Sequence, residues 1–483
     1  MEKNLGNKKT RYDKMKKANA CCDFQGFPGL KSYLESGDSC NQIKAVIHRY
    51  EKSLKIAKQQ ADKQEEMQAY LGLGEAYRFS NQNEKAIQKY KKGLEIGREQ
   101  GYKLQETLAF LGLGDAYRSN NQNQTAIQHY QKALEIAGGQ GYKLQEIDAH
   151  LEMGIAYRLN NQIYMAIQHY KKALEIAGEE GCELKEVNAC LELGIAYRLS
   201  NQIEPAIQHH RLAAEMAKEQ RHNLKEIDAY FGLAITYEWN NLNQTAIQHY
   251  EYSLQIAIEQ GYKQKEAQAY LGLGKANRFD NKNKTAIKHY EKALEIAIEQ
   301  GYKFEETQAY LGIGGAYKSN NQIQTAMQNY QKALEIAKKV EEKYEETIAY
   351  LELGEAFRLN NQIQRAVQHY ENALKIAEER GYKHAETRAY FGLGEAFKLN
   401  DQTELAMEYY QKALENATEH EDQLDETEAH LGIAVVYRLN NQKQKAIHHY
   451  HKALDIAKEQ GYKQEETKAY LGLGVTYRMS NRI

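Results

Sequence analysis

Nowhere in its 483 residues does the chain hold eighteen consecutive apolar side chains, so no helix is expected to cross a membrane. Its start, MEKNLGNKKTRYDKMKK, is charged and lacks the apolar stretch of a secretory signal. Five cysteines include no CxxC pair. That leaves neither a disulfide framework nor a zinc-finger spacing, and it points to a reducing, cytoplasmic setting. A formal net charge of −2 gives no overall attraction to nucleic acid or to an anionic membrane. No GxxxxGK[ST], HExxH or GxSxG occurs, so no catalytic residue, cofactor or metal site is expected. With 42% apolar and 27% charged residues the composition is that of a folded chain.

What is present is a period. Tyr77, Tyr117, Tyr157, Tyr197 and Tyr237 lie 40 residues apart, and the frame runs without a gap to Tyr477. Within residues 107–146, Phe110, Leu113, Gly114 and Tyr117 have helical spacing. A second helical series follows at Ala126, Ile127, Tyr130, Ala133, Leu134, Ile136 and Ala137. Between them stands Asn-Asn-Gln, too short for a prion-like tract; Asn is suited to the left-handed turn of a hinge. Gly141 suits the left-handed residue after the second helix, with Tyr142 as its apolar contact. The acid at Glu146, kept in frame from Glu106 to Glu466, suits the start of the next helix. Such pairs cannot bury their apolar faces alone and must stack. Of the 37 tyrosines, 31 fall on the frame positions of Tyr70, Tyr77, Tyr90 and Tyr102, as core and cap residues.

Phe110-x2-Leu113-Gly114-x2-Tyr117, then Ala126-x3-Tyr130 and Ala133, resembles the tetratricopeptide (TPR) signature. The resemblance implies an all-α fold, a right-handed α-α superhelical solenoid of about eleven TPR-like helix pairs. The usual closing proline is missing. The second helix is expected to run on through Ala137 into a longer connector, as in the arrays of LGN-type G-protein-signalling modulators, kinesin light chain and large TPR scaffolds. The expected organisation is a basic, disordered tail at 1–26 and a degenerate first pair at 27–66. Ten 40-residue repeats follow at 67–466, and a lone helix at 467–483 begins an eleventh.

By the same resemblance the first helices line a groove that receives a partner protein. At the frame position of Arg118 the residue is basic throughout, except at Glu238. At that of Asp115 it turns apolar in three consecutive repeats. There the rows read Leu151-Ile155-Leu159, Leu191-Ile195-Leu199 and Phe231-Ile235-Trp239, ending on the chain's one tryptophan. Three such rows would form an apolar patch of the kind monomers seldom expose without a use. Arg158 and Arg198, without acids three residues before them, read as donors free for an acidic partner residue. A histidine row (His129, His169, His209, His249, His289, His369, His449) reads as the polar flank of the second helices.

The function that follows is a non-enzymatic adaptor. It holds a peptide or helical segment bearing apolar and acidic residues at 151–239. The alternative is a self-assembling structural protein joined end to end through Leu471, Val475 and Met479. Nucleic-acid binding through the basic row ranks below both, because acids stand beside several of its members.

Overall fold

The computed structural model describes residues 39–480, with side chains from 43 to 479. Among them are twenty-two helices and no strand. None is long and apolar enough to cross a membrane. The tail at 1–26 and the first half of the degenerate pair lie outside the described residues. The second half is the helix Ser39–Gln60. Two compact units divide between Ile256 and Ala257, inside the helix Asn243–Gln260. In the first unit each helix from Ser39–Gln60 to Asn223–Trp239 packs on the next. The second unit does the same from Lys263–Phe279 to Lys463–Ser480. In both, the first helix of a pair also touches the first helix of the following pair.

The pair Lys103–Ser119 and Asn123–Gln140 shows why the chain folds this way. Glu106 sits in the first turn, where it meets the positive end of the helix dipole and pairs with Lys103 at 2.8 Å. The hinge turns on Asn121, at φ 60°, and its equivalents all adopt the same left-handed conformation, Asp401 included. The Asn121 and Gln122 amides then close onto the carbonyls of Arg118 and Tyr117, both at 2.9 Å. After the second helix Gly141 takes φ 70°, and the Tyr142 amide donates to Ala137 O at 2.9 Å. The extra length of the repeat is therefore helix, not connector: the second helix reaches Gln140 and only two residues separate it from Lys143. Cys190 is a buried free thiol.

Packing between pairs depends on one slot. The ring of Tyr90 lies between Gly74 of its own first helix and Gly112 of the next. A Cβ would come within 2.7 Å of the ring at Gly74 and 2.4 Å at Gly112. Tyr290 and Tyr370 sit between glycine pairs in the same way, and the imidazole of His210 does so between Gly194 and Gly232. Tyr130, Tyr170, Tyr330, Tyr410 and Tyr450 are among the largest fully buried side chains. The two glycines of the LGLG stretches at 71–74 and 111–114 are thus walls of successive slots.

Gly112→Ala should lower stability by about 1–3 kcal/mol, because its Cβ would come within 2.4 Å of the Tyr90 ring, which must shift to admit it. Gly138→Ala, with nothing within 4 Å of the new methyl, should raise stability by about 0.5–1 kcal/mol. Urea midpoints of the two variants against wild type check the contrast.

Candidate partner-binding site

The basic row of the first helices is neutralised mainly from the following repeat. Arg118 donates from Nη2 to Glu152 Oε2 at 3.0 Å and from Nε to the Tyr130 hydroxyl at 3.2 Å. Arg158 donates to Glu192 Oε2 at 3.1 Å and to the Tyr170 hydroxyl at 3.4 Å. In the second unit Lys318 pairs with Glu352 at 2.7 Å. All three acids occupy the frame position of Gly112, where LGLG becomes LEMG or LELG. Arg158 is therefore not a free donor, which corrects the reading drawn from its missing neighbour on the same helix. The acid arrives from the next pair through the stacking register. Burial and the nearby Asp115 push the Glu152 carboxyl up to about 8 against the pull of Arg118.

Arg198 has no such partner, because the corresponding position is Gly232. Its Nε is buried without a hydrogen bond, and burial pushes its pKa down. The guanidinium carbon lies 5.6 Å from the centre of the Trp239 ring, within cation–π range. Around it the apolar rows are split by depth. Leu151 and Leu191 are each 8% exposed and belong to the core, so they are corrected out of the exposed patch. Phe231 is half-buried and packs edge-on against Tyr250 at 5.5 Å. Ile155, Ile195 and Ile235 are half-buried, and Leu159, Leu199 and Trp239 are exposed. Glu238, which interrupts the basic row, is buried and accepts a hydrogen bond from Tyr250 at 3.3 Å.

The histidine row is not a polar flank. His129 stacks on Tyr117 at 5.1 Å and 4°, and His249 on Tyr237 at 5.2 Å and 0°. His369 takes Phe357 in the same manner, at 4.9 Å and 8°. The rings are half-buried, each pinning a second helix to the first helix of its own pair. His169 adds a contact to His150, Nδ1 to Nδ1 at 2.9 Å, and His449 one to His430 at 3.0 Å. Burial drives His129, His150, His430 and His449 down to about 4 and His210 to about 3.

Two cavities along first helices of the second unit were not read from the sequence. One, of about 330 Å³, is lined by Arg358, Tyr370, Arg388, Phe391, Glu395 and Glu428, among others. The other, of about 470 Å³, shares several of these residues and adds Leu431, Val435, Arg438, Leu471 and Val475. Leu471 is 66% exposed and Met479 38%, whereas Val475 is half-buried in this wall. Arg388 donates to Glu352 at 3.0 Å, and burial raises the Glu428 carboxyl. One signal was available: at the frame position of Leu108 the residue is charged in three consecutive repeats, Arg388, Glu428 and Lys468.

The fold is an α-solenoid of repeated helical hairpins. A tetratricopeptide repeat model matches residues 105–179, 225–299, 305–379 and 345–419, and a second such model matches 68–99. The chain belongs to the tetratricopeptide repeat family. No curated protein matches it. Among solved structures it is similar to the apo form of the quorum sensor NprR from B. thuringiensis, at 17% identity and TM-score 0.48, over 70% of this chain and 99% of that one. It is also similar to the signal-transduction ATPase PH0952 from Pyrococcus horikoshii, which has a tetratricopeptide repeat sensor. Identity there is 17% and TM-score 0.49, over 74% of this chain and 54% of that one. A third is a putative kinesin light chain of Podosopora anserina, at 16% identity and TM-score 0.36, over 40% of this chain and 95% of that one.

The buried histidines set an acid limit. A histidine whose folded pKa is depressed contributes stability that is present above about 6.5 and lost as pH falls toward its folded value. The array should therefore lose stability from pH 6.5 down to about 4, the folded value of His129. His129→Tyr, the residue that Tyr409 supplies at the same frame position, should flatten part of that loss. Melting temperatures of both proteins across this range measure it.

Proposed function

We propose that the chain is a non-enzymatic adaptor that holds a segment of a partner protein on the first helices of its first unit. The observation that carries this is Arg198. It is a cation with a buried, unsatisfied Nε, packed under the exposed ring of Trp239 and bordered by Ile195, Ile235 and Leu199. An unpaired buried donor costs about 1–3 kcal/mol, which an incoming carboxylate removes. An aromatic and an arginine set in apolar surroundings are also the composition of interface hot spots. The favoured partner segment carries an acidic residue beside apolar ones. Arg158, already held by Glu192, serves the shape of the site and not its charge.

A second reading places the partner on the second unit, in the cavities lined by Phe391, Leu431 and Val435. Affinity capture with wild type, Ile195→Asp, Arg198→Gln and Val435→Asp side by side separates the two. Loss of a central contact of about 2 kcal/mol weakens binding roughly 30-fold. The first reading expects that loss from Ile195→Asp and Arg198→Gln while Val435→Asp keeps the partner. The reverse pattern moves the site to the second unit. Unchanged capture by all three variants rejects both.

A further inference from the structure

At one place in the second unit three departures from the repeat converge. His384 stands where Leu104, Leu144, Leu184, Leu224 and Leu424 stand in other first helices. Asp422 replaces the tyrosine of Tyr102, Tyr142, Tyr262, Tyr302, Tyr382 and Tyr462, and Glu421 replaces the glycine before it, with φ 56°. Asp425 lies one helical turn beyond Asp422. Elsewhere the same frame positions hold an ordinary hydrogen bond between neighbouring repeats, Gln264 to Glu305 at 2.9 Å.

We propose that His384, Asp422 and Asp425 bind one divalent transition-metal ion, with zinc as the type. Each offers one ligand atom, and the three atoms lie within 4.8 Å of one another. Nδ1 of His384 is 2.8 Å from Asp425 Oδ2 and 3.3 Å from Asp422 Oδ2. Donors about 2.1 Å from a tetrahedral ion lie about 3.4 Å apart, so the Asp422 separation fits and the Asp425 one widens by about 0.6 Å on binding. One imidazole and two carboxylates are donors that zinc accepts, and three protein ligands leave a position for water.

Asp425 supplies an independent reason. Its side chain is 9% exposed, and Oδ2 is inaccessible and accepts no hydrogen bond of proper geometry. His384 Nδ1 lies 2.8 Å from it, an ion pair that a shared metal ion would replace. Two atoms so placed are disposed like two donors facing a common third atom. Asp422 is held for the role by its other oxygen, which caps the helix Gln423–Leu439 by accepting from the Asp425 amide at 3.1 Å. The exposed edge of His384 and the partly exposed Asp422 leave the cluster open to solvent. A bound ion would tie the helix Lys383–Leu399 to Gln423–Leu439 beside a connector that has lost its glycine.

The test is zinc uptake by the full chain after removal of adventitious metal with a chelator. The double variant His384→Leu/Asp422→Tyr carries residues found at these positions in other repeats, so the fold is preserved; circular dichroism checks this. Asp425→Asn is a second variant that keeps the shape of the side chain. Wild type should take up one more equivalent of Zn2+ than either variant, and Zn2+ should raise the melting temperature of wild type alone. With Co2+ as a spectroscopic probe, visible d–d absorption should appear in wild type and be lost in both variants. Equal uptake, with no metal-dependent difference in melting, would overturn the site and leave an ion pair only.

Discussion

An aromatic ring held between two glycines, one on its own first helix and one on the next, is the contact on which the array depends. Each 40-residue unit is two amphipathic helices that cannot stay folded alone. At Tyr90, Tyr290, Tyr370 and His210 the ring of the second helix lies against both neighbouring first helices in the space that a missing Cβ leaves on each. Tyr90 between Gly74 and Gly112 shows the fit. The hinge asparagine and the connector residue, both left-handed, hold the helices at the angle that brings the slot together. The stacked histidines then tie the outer helix to the inner one.

Changes to that slot create the chemistry. Where the second glycine becomes glutamate, at Glu152, Glu192 and Glu352, a carboxylate enters beside the tyrosine hydroxyl and meets the basic residue of the preceding repeat. Where it stays glycine, as at Gly232, the preceding Arg198 is left without an acid. Arg78 and Lys398 are also followed by glycine, at Gly112 and Gly432, but acids on their own helices, Glu75 and Glu395, neutralise them; Arg198 has neither kind of acid. The same register places Glu352 between Lys318 and Arg388. Burial alone would raise its pKa, and the two cations hold it down to about 2.

Much of this was legible in the chain. The helix pairs, the left-handed Asn121 and Gly141 and the first-turn acid at Glu106 all follow from local spacing. Three readings failed for a common reason. Arg158 was judged by its own helix, yet its acid lies 34 residues on. Leu151 and Leu191 were placed on an open face with Leu159 and Leu199, but successive turns of one stripe reach different depths in a stacked layer. The histidines were assigned to a solvated flank because nothing local announces the aromatic ring that covers each of them.

By itself, then, the sequence determined the period, the hinge conformations and the family. These depend on interactions within about one helical turn, which residue order specifies directly. Only the tertiary structure decided which arginine is satisfied and which row member is buried. It alone brought His384 to Asp422 and Asp425, and joined Phe391, Leu431 and Val435 into the walls of one cavity. These are contacts between repeats. Their partners are set by the register in which one pair stacks on the next, and that register exists only once the rings have entered their slots.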